Sequence, residues 1–301
     1  LRVELLRLRV AAWIVVVMAS AGGGACAPLR MTAPETGTGG AGNAAGDAGT
    51  SGEAGTSAGG RGGAATAGTM GNGGTGGGTG GRPEPPGMIA FWRFNEGAGA
   101  TVLDSSGYGQ PLTISSSSRW TTAGHEGAAF TFDGATDVAG VVPGVGQRLY
   151  DYPTVSLTFS AWVKPDTAAA GRPFATAVAR SHEDYAFQDF WLGLVNGKPG
   201  CTIHSPSQDG PVASAVLPTT SWTHIACTYG LDGHIKLYVN GGDAAQGSSN
   251  ENLGPIPTAI LVGASETMQP SVVDQYFPGA IDDVRIYNRT LSDAEVLSIA
   301  R

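Results

Sequence analysis

The sequence predicts an all-β protein: an antiparallel two-sheet sandwich with one short C-terminal helix. Three observations carry this. Beyond residue 88, apolar side chains recur with a period of two in short runs. Gly, Pro, Asp and Asn separate those runs, as turns between short antiparallel strands require. A helix-start signature occurs only near the C-terminus.

Taken in order, the first strand candidates are residues 90–94 and 128–132, the second closed by Asp133-Gly134. In 157–163, Leu157, Phe159, Ala161 and Val163 share one face. Candidates at 190–194 and 201–204 follow. In 224–229, Ile225, Cys227 and Tyr229 share a face, and Ile235, Leu237 and Val239 then alternate with Lys236 and Tyr238. Asn240-Gly241 is a hairpin-turn signal. Residues 260–262 and 281–287 complete the set, and strict alternation puts Asp282 on the face of Val284 and Ile286. Ser292-Asp293-Ala294-Glu295 is a capping box ahead of Val296, Leu297 and Ile299.

The 301 residues divide into three parts. Residues 1–26 read as an export signal, with Arg2, Arg7 and Arg9 ahead of an apolar run from Val10 to Ser20. That run suits a signal peptide and is too short for a bilayer-spanning helix. Residues 27–87 are a Gly/Ala/Thr-rich linker, with 21 glycines between Gly37 and Gly81, and too few apolar side chains to offset the entropy of ordering. It is expected to be a disordered tether, stiffened at its end by Pro83-Glu84-Pro85-Pro86. Residues 88–301 are the folded part, with 20 acids against 11 bases, and are long enough for one sizeable sandwich core. The whole chain carries a formal charge of −8, which argues against nucleic acid or an anionic membrane surface as partner.

The small residues Ala21 to Ala25 ahead of Cys26 resemble a bacterial lipobox, although Gly23 stands where that pattern has an aliphatic residue. The resemblance makes Cys26 a lipidation site and the protein a cell-envelope lipoprotein. Cleavage after Ala21 and plain secretion is the competing reading.

The ordered strings AFWRFNEGAGATVLDSSGYG, FTFDG, LTFSAWVKP, WTHIACTYGLDGHIKLYVNG, ILVGAS and FPGAIDDVRIYNRTLSDAEV resemble the laminin-G-like, concanavalin A-like jelly-roll domains. The stretch from Trp222 to Gly241 is also similar to pentraxins. The resemblance implies two antiparallel sheets of about six or seven strands, stacked face to face.

Cys201 and Cys227 both lie in strand candidates of an exported domain, and setting Cys26 aside leaves them as an even pair. Pentraxins bridge the cysteine matching Cys227 to the strand matching LTFSAWV, where this chain has Ser160, so Cys201 becomes the expected partner. Two buried free thiols are the alternative.

Some members of this fold cleave glycans with Glu-x-Asp-x-x-Glu on one strand, and no glutamate of the folded part begins that pattern. The histidines show no metal-ligand spacing, and His224, mid-strand, is expected to be a hydrogen-bonded structural residue. The domain is therefore read as non-catalytic. In related jelly rolls an ion sits between the first and last strands, which makes Asp104 and Asp282, with Glu96 third, the candidate calcium ligands. The alternative has Asp282 accepting backbone N–H bonds from the Asp104 turn with no metal. Trp120, Tyr152 and Trp191 are candidate sugar-stacking residues, against ordinary packing roles. The expected function is a tethered module binding an extracellular or envelope glycan or protein. A purely structural envelope role and an unrecognised hydrolase or lyase are the alternatives.

Overall fold

A computed structural model describes residues 83–141, 156–181, 188–205, 210–250, 258–267 and 272–301. In chain order its first strands are β1 (Met88–Trp92), β2 (Thr101–Val102), β3 (Leu112–Ile114), β4 (Trp120–Thr121), β5 (Ala129–Asp133) and β6 (Ala139–Val141). Then come β7 (Leu157–Pro165), β8 (Phe174–Ser181), β9 (Gln188–Val195), β10 (Lys198–Ser205), β11 (Thr223–Tyr229) and β12 (His234–Val239). The last are β13 (Gly242–Ser248), β14 (Ile260–Val262), β15 (Ser265–Thr267), β16 (Val272–Asp274) and β17 (Pro278–Tyr287), followed by helix α1 (Asp293–Ile299).

Two antiparallel sheets result. One has eight strands in the order β13-β12-β11-β7-β17-β5-β4, with β1 also paired to β17; the other has seven, in the order β10-β9-β8-β14-β6-β3-β2. The predicted alternation decides which side chains meet between them. Leu157, Phe159, Ala161, Val163, Ile225 and Ile281 face Phe190, Leu192, Leu194 and Ile203 in one core. Phe159 and Phe190 touch across the layers with ring centroids 4.8 Å apart. Each of these buried side chains larger than alanine contributes about 1.5–3 kcal/mol of transfer free energy. The expected disulfide is present: Cys201 on β10 and Cys227 on β11 join the two sheets, with Cα atoms 6.2 Å apart.

Both outer faces are partly covered. The hairpin β15–β16 lies against the seven-stranded sheet, where the Thr176 amide donates to the Gln275 carbonyl and the Gly263 amide to the Ala177 carbonyl. Helix α1 carries the predicted capping box, Ser292 with Glu295, and packs Val296 and Ile299 on Ala226, Tyr238 and Tyr287 of the eight-stranded sheet. The folded part also begins earlier than Met88. Glu84 accepts from Arg285 Nη2 at 3.2 Å and from the Tyr287 hydroxyl at 3.0 Å, while the Pro86 carbonyl accepts from Arg289 Nε at 2.7 Å.

Strand β17 organises the larger sheet. Along one side it pairs with β7; on the other, Pro278–Ile281 pairs with β5 and Val284–Tyr287 with β1. Between these halves its register slips, and Asp283 adopts a left-handed backbone with φ 48°. This is a β-bulge, and the extra residue reverses the alternation. Ile281, Val284 and Ile286 face the core, whereas Asp282 pairs with Trp162 and Arg285 with Ser160. The expectation that Asp282 shares the face of Val284 and Ile286 therefore fails.

Candidate functional site

Cys26 and Tyr152 lie outside the described residues. The strands flanking several such segments end together, since Val141, Ser181, Gln188, Ser205 and Ile260 terminate strands at one end of the seven-stranded sheet.

The other two aromatic candidates are packing residues. Trp191 sits mid-strand in β9, fully buried, with its ring N–H donating to Thr176 Oγ1 at 2.8 Å and its edge against Phe174. Such a side chain offers no face to a sugar. Trp120 is half-buried, donates to the Gly99 carbonyl at 3.0 Å, and packs edge-on against Phe130. Both occupy the packing role that was their alternative.

The three candidate calcium ligands do not assemble. Asp104 Oδ1 accepts from the Phe91 and Ser106 amides, and Oδ2 accepts from the Gln110 amide and the Ser106 hydroxyl. It fastens the loop after β2 to the β1 edge. Asp282 Oδ2 accepts from the His125 and Glu126 amides at 2.8 and 3.2 Å, and Oδ1 from the Asp283 amide. Strand β1 lies between Asp104 and β17, bridging one through Trp92 and pairing with the other. Glu96 accepts from the Leu103 amide through Oε1. Carboxylates ringed by N–H donors present those donors where a cation would need open oxygen. Among the described residues, no group of three or more His, Cys, Asp or Glu side chains is placed to hold a metal ion. The residues do not fit a shared calcium site; Asp282 does accept backbone N–H bonds, but from the turn after β4 and from Asp283 rather than from the Asp104 turn.

A different constellation surrounds the β17 bulge on the outer face of the eight-stranded sheet. His224, Trp162 and Asp282 are cross-strand neighbours on β11, β7 and β17, and Ser160 and Arg285 pair in a neighbouring row. The turn between β4 and β5 lies over them, closed by the Gly124 amide donating to the Gly127 carbonyl. His125 from this turn stacks on Trp162, and its Nδ1 lies 4.0 Å from Asp283 Oδ2. Gly127, at φ +74°, gives the turn its left-handed corner. Asp282 anchors the turn through the two amides named above.

The electrostatics are unusual for a surface. Burial, with Asp283 alongside, pushes the Asp282 carboxyl up to about 7, against the N–H bonds from Glu126 and His125. Burial likewise pushes Asp283 up to about 6, against the pull of Arg285. His224 is driven down to about 3 by burial and by the neighbouring charges of Arg285 and His125, so its ring is neutral. Neither ring nitrogen of His224 has a hydrogen-bond partner; its backbone does, the amide donating to Asn240 Oδ1 at 2.9 Å and the carbonyl accepting from the Asn240 amide at 2.8 Å. The expected hydrogen-bonded histidine is thus an orphan. Ser160 Oγ, His125 Nδ1 and Arg285 Nε are likewise buried without a hydrogen-bond partner. Alternation did mark Trp162 and Ser160 as outward-facing, but nothing local announced the bulge that brings β17 into register with them.

Two antiparallel sheets stacked face to face in this order form a jelly-roll sandwich, an architecture that lectin domains share with other proteins. The model of the concanavalin A-like lectin/glucanases superfamily matches residues 144–297, just over half of the chain, and the chain belongs to that family. The match begins after β6, yet β1 and β5 sit in one sheet and β3 and β6 in the other, so the sandwich extends beyond it. No curated protein matches the chain. Among solved structures, domain 4 of AbnA, a GH43 extracellular arabinanase from Geobacillus stearothermophilus in complex with arabinotriose, is 21% identical with a TM-score of 0.52. That likeness covers 71% of this chain and 98% of that one. The botulinum neurotoxin serotype D binding domain is 18% identical, TM-score 0.52, over 71% of this chain and 51% of that one. The serotype D ligand binding domain in complex with N-acetylneuraminic acid is 16% identical, TM-score 0.52, over 71% and 50%. This chain spans about half the length of the toxin domains, and at these identities the likeness is one of fold.

Proposed function

We propose that this chain is a non-catalytic carbohydrate-binding protein of the bacterial cell envelope, exported by residues 1–26 and held by lipid at Cys26. The observation that carries the reading is the family, seen alongside a domain of matching extent: domain 4 of the arabinanase, covered over 98% of its length, is a structure in complex with arabinotriose. The placement of the carboxylates agrees. Among the described residues those that are buried with raised protonation points are Asp137, Asp282 and Asp283; Asp137 pairs with Arg119, Asp282 lies beneath a turn and Asp283 against Arg285, rather than across an open cleft from one another. Glycoside hydrolysis needs two carboxyl groups flanking a bound glycosidic linkage, and that geometry is not what the bulge offers. Fold alone does not name a ligand, so glycan binding rests on this analogy and Tyr152 stays a candidate contact.

The test is a glycan array with the purified protein, run with and without calcium and paired with an assay for released reducing sugar. Saturable binding to a glycan without sugar release is expected. Binding to no glycan overturns the reading in favour of a structural envelope role, and turnover overturns it in favour of an enzyme. Mass spectrometry of the mature N-terminus checks the lipid: a free N-terminus at Gly22 defeats the anchor and leaves the domain's role intact.

A further inference from the structure

We propose that the outer face of the eight-stranded sheet holds a closed carbohydrate site, with the Trp162 indole as its floor, Ser160, His224, Asp283 and Arg285 as its walls, and His125 as its plug. The inference rests on the carbohydrate-binding reading and deepens it by placing a site and naming a ligand class, the neutral saccharides.

Two independent observations meet here. The first is the plug. His125 lies flat on the Trp162 indole, and a flat ring over an indole occupies the space in which a sugar ring stacks through its C–H face. His125 belongs to a half-exposed turn of small residues, tied down by the Asp282 carboxylate at the His125 and Glu126 amides and by Asn95 Oδ1 at the Ala128 amide. The second is the set of unpartnered atoms around the same indole. His224 and Ser160 are fully buried and Arg285 is only 7% exposed, yet both ring nitrogens of His224, Ser160 Oγ and Arg285 Nε have no partner. A buried polar atom without a partner is costly, and four around one ring demand a reason. Packing supplies none, because an apolar residue at position 224 or 160 would fill the same space without the penalty.

The mixture of groups selects the ligand. Arg285 Nε donates, a neutral imidazole both donates and accepts, a serine hydroxyl does either, and Asp283 accepts. Adjacent sugar hydroxyls need that alternation. Four carboxyl groups, Asp282, Asp283, Glu84 and Glu126, outnumber the two guanidiniums, Arg285 and Arg93, that share the Phe91 ring, so an anionic sugar is disfavoured. When the turn lifts, the saccharide replaces His125 on the indole and its hydroxyls satisfy the orphans. In the resting protein the site is closed, and apparent affinity is reduced by the small fraction that is open.

The experiment is calorimetric titration of arabinotriose, xylotriose and cellotriose, with N-acetylneuraminic acid as the acidic probe, into the wild-type protein and His125→Ala. Removing the plug is expected to tighten binding of at least one neutral trisaccharide tenfold or more and to change tryptophan emission on binding. Adding Trp162→Phe or Ser160→Ala to His125→Ala is expected to abolish that gain; the serine variant, which alters packing least, decides the matter if the tryptophan variant does not fold. A gain for N-acetylneuraminic acid instead, or one that survives both second substitutions, overturns the site. Wild-type glycan binding that none of these substitutions alters also overturns it, and leaves the carbohydrate-binding reading standing. Binding by no form to any of these sugars or to the array overturns both.

Discussion

The imidazole of His125 and the indole of Trp162 lie 3.5 Å apart between ring centroids, with planes 13° from parallel. The pair joins a turn to the middle of a sheet, and Asp282 holds the turn there by accepting two of its backbone amides. If that is what keeps Trp162 only 7% exposed, Asp282→Ala releases the turn. The accessible share of tryptophan emission, measured by acrylamide quenching, is expected to rise in Asp282→Ala as it does in His125→Ala. Loss of the ring stack costs about 1 kcal/mol in His125→Ala.

The Cys201–Cys227 bridge spans 26 residues and crosses between the two sheets. In the chain-entropy model a loop of that length contributes about 3–4 kcal/mol. The double substitution Cys201→Ala/Cys227→Ala is expected to lower the urea midpoint by a corresponding amount. Both cysteines are buried, so a mild reductant without denaturant is expected to leave the bridge intact, as read by thiol labelling.

His224 links stability to pH. Its ring, near 6.5 when unfolded, is held down to about 3 in the fold by burial, Arg285 and His125. The unfolded chain therefore takes up a proton that the native state refuses, and this contribution, complete above pH 6.5, is lost as pH falls toward 3. Between pH 7 and pH 4 the loss is roughly 2–4 kcal/mol. Asp282 and Asp283, on the strand across β7, have raised protonation points and act with the opposite sign in wild type and variant alike. The difference between them isolates the histidine: His224→Leu is expected to gain stability on the wild type steadily as pH falls from 6.5, measured by urea unfolding at each pH.

Glu84 tests where the folded part begins. It accepts from Arg285, itself 8% exposed at the side chain, and from the Tyr287 hydroxyl. Glu84→Ala leaves a buried guanidinium and a buried hydroxyl short of a partner, at a cost of about 1–3 kcal/mol. Thermal unfolding of the variant measures it; an unchanged midpoint would return residues 84–87 to the linker.

Much of the sandwich was legible because alternation is a local property. The face of Leu157, Phe159, Ala161 and Val163 lies in the core, and Ser292 with Glu295 caps the helix as the spacing requires. Strands without that pattern escaped. β13, with sequence GDAAQGS, has no large apolar residue and is held by pairing to β12 at the sheet edge. In β8, FATAVARS, small residues and a bulge between Thr176 and Val178 blur the period. The site was harder. Trp191 lay near the start of the 190–194 strand candidate but sits mid-strand, because Gln188 and Asp189 extend the sheet beyond the apolar run.

From the sequence alone came the class of fold, the pairing of Cys201 with Cys227 and the cap of the helix, each set by neighbours along the chain or by the chemistry of one residue type. Only the tertiary structure decided what Asp282 does. One extra residue in β17 turns its carboxylate from the core to the outer face, where amides from a turn more than 150 positions away in sequence claim it. A bulge is made by the partner strands on either side, and so is the company of Trp162, His125 and His224, which belong to three separate segments and meet only when the sheet closes.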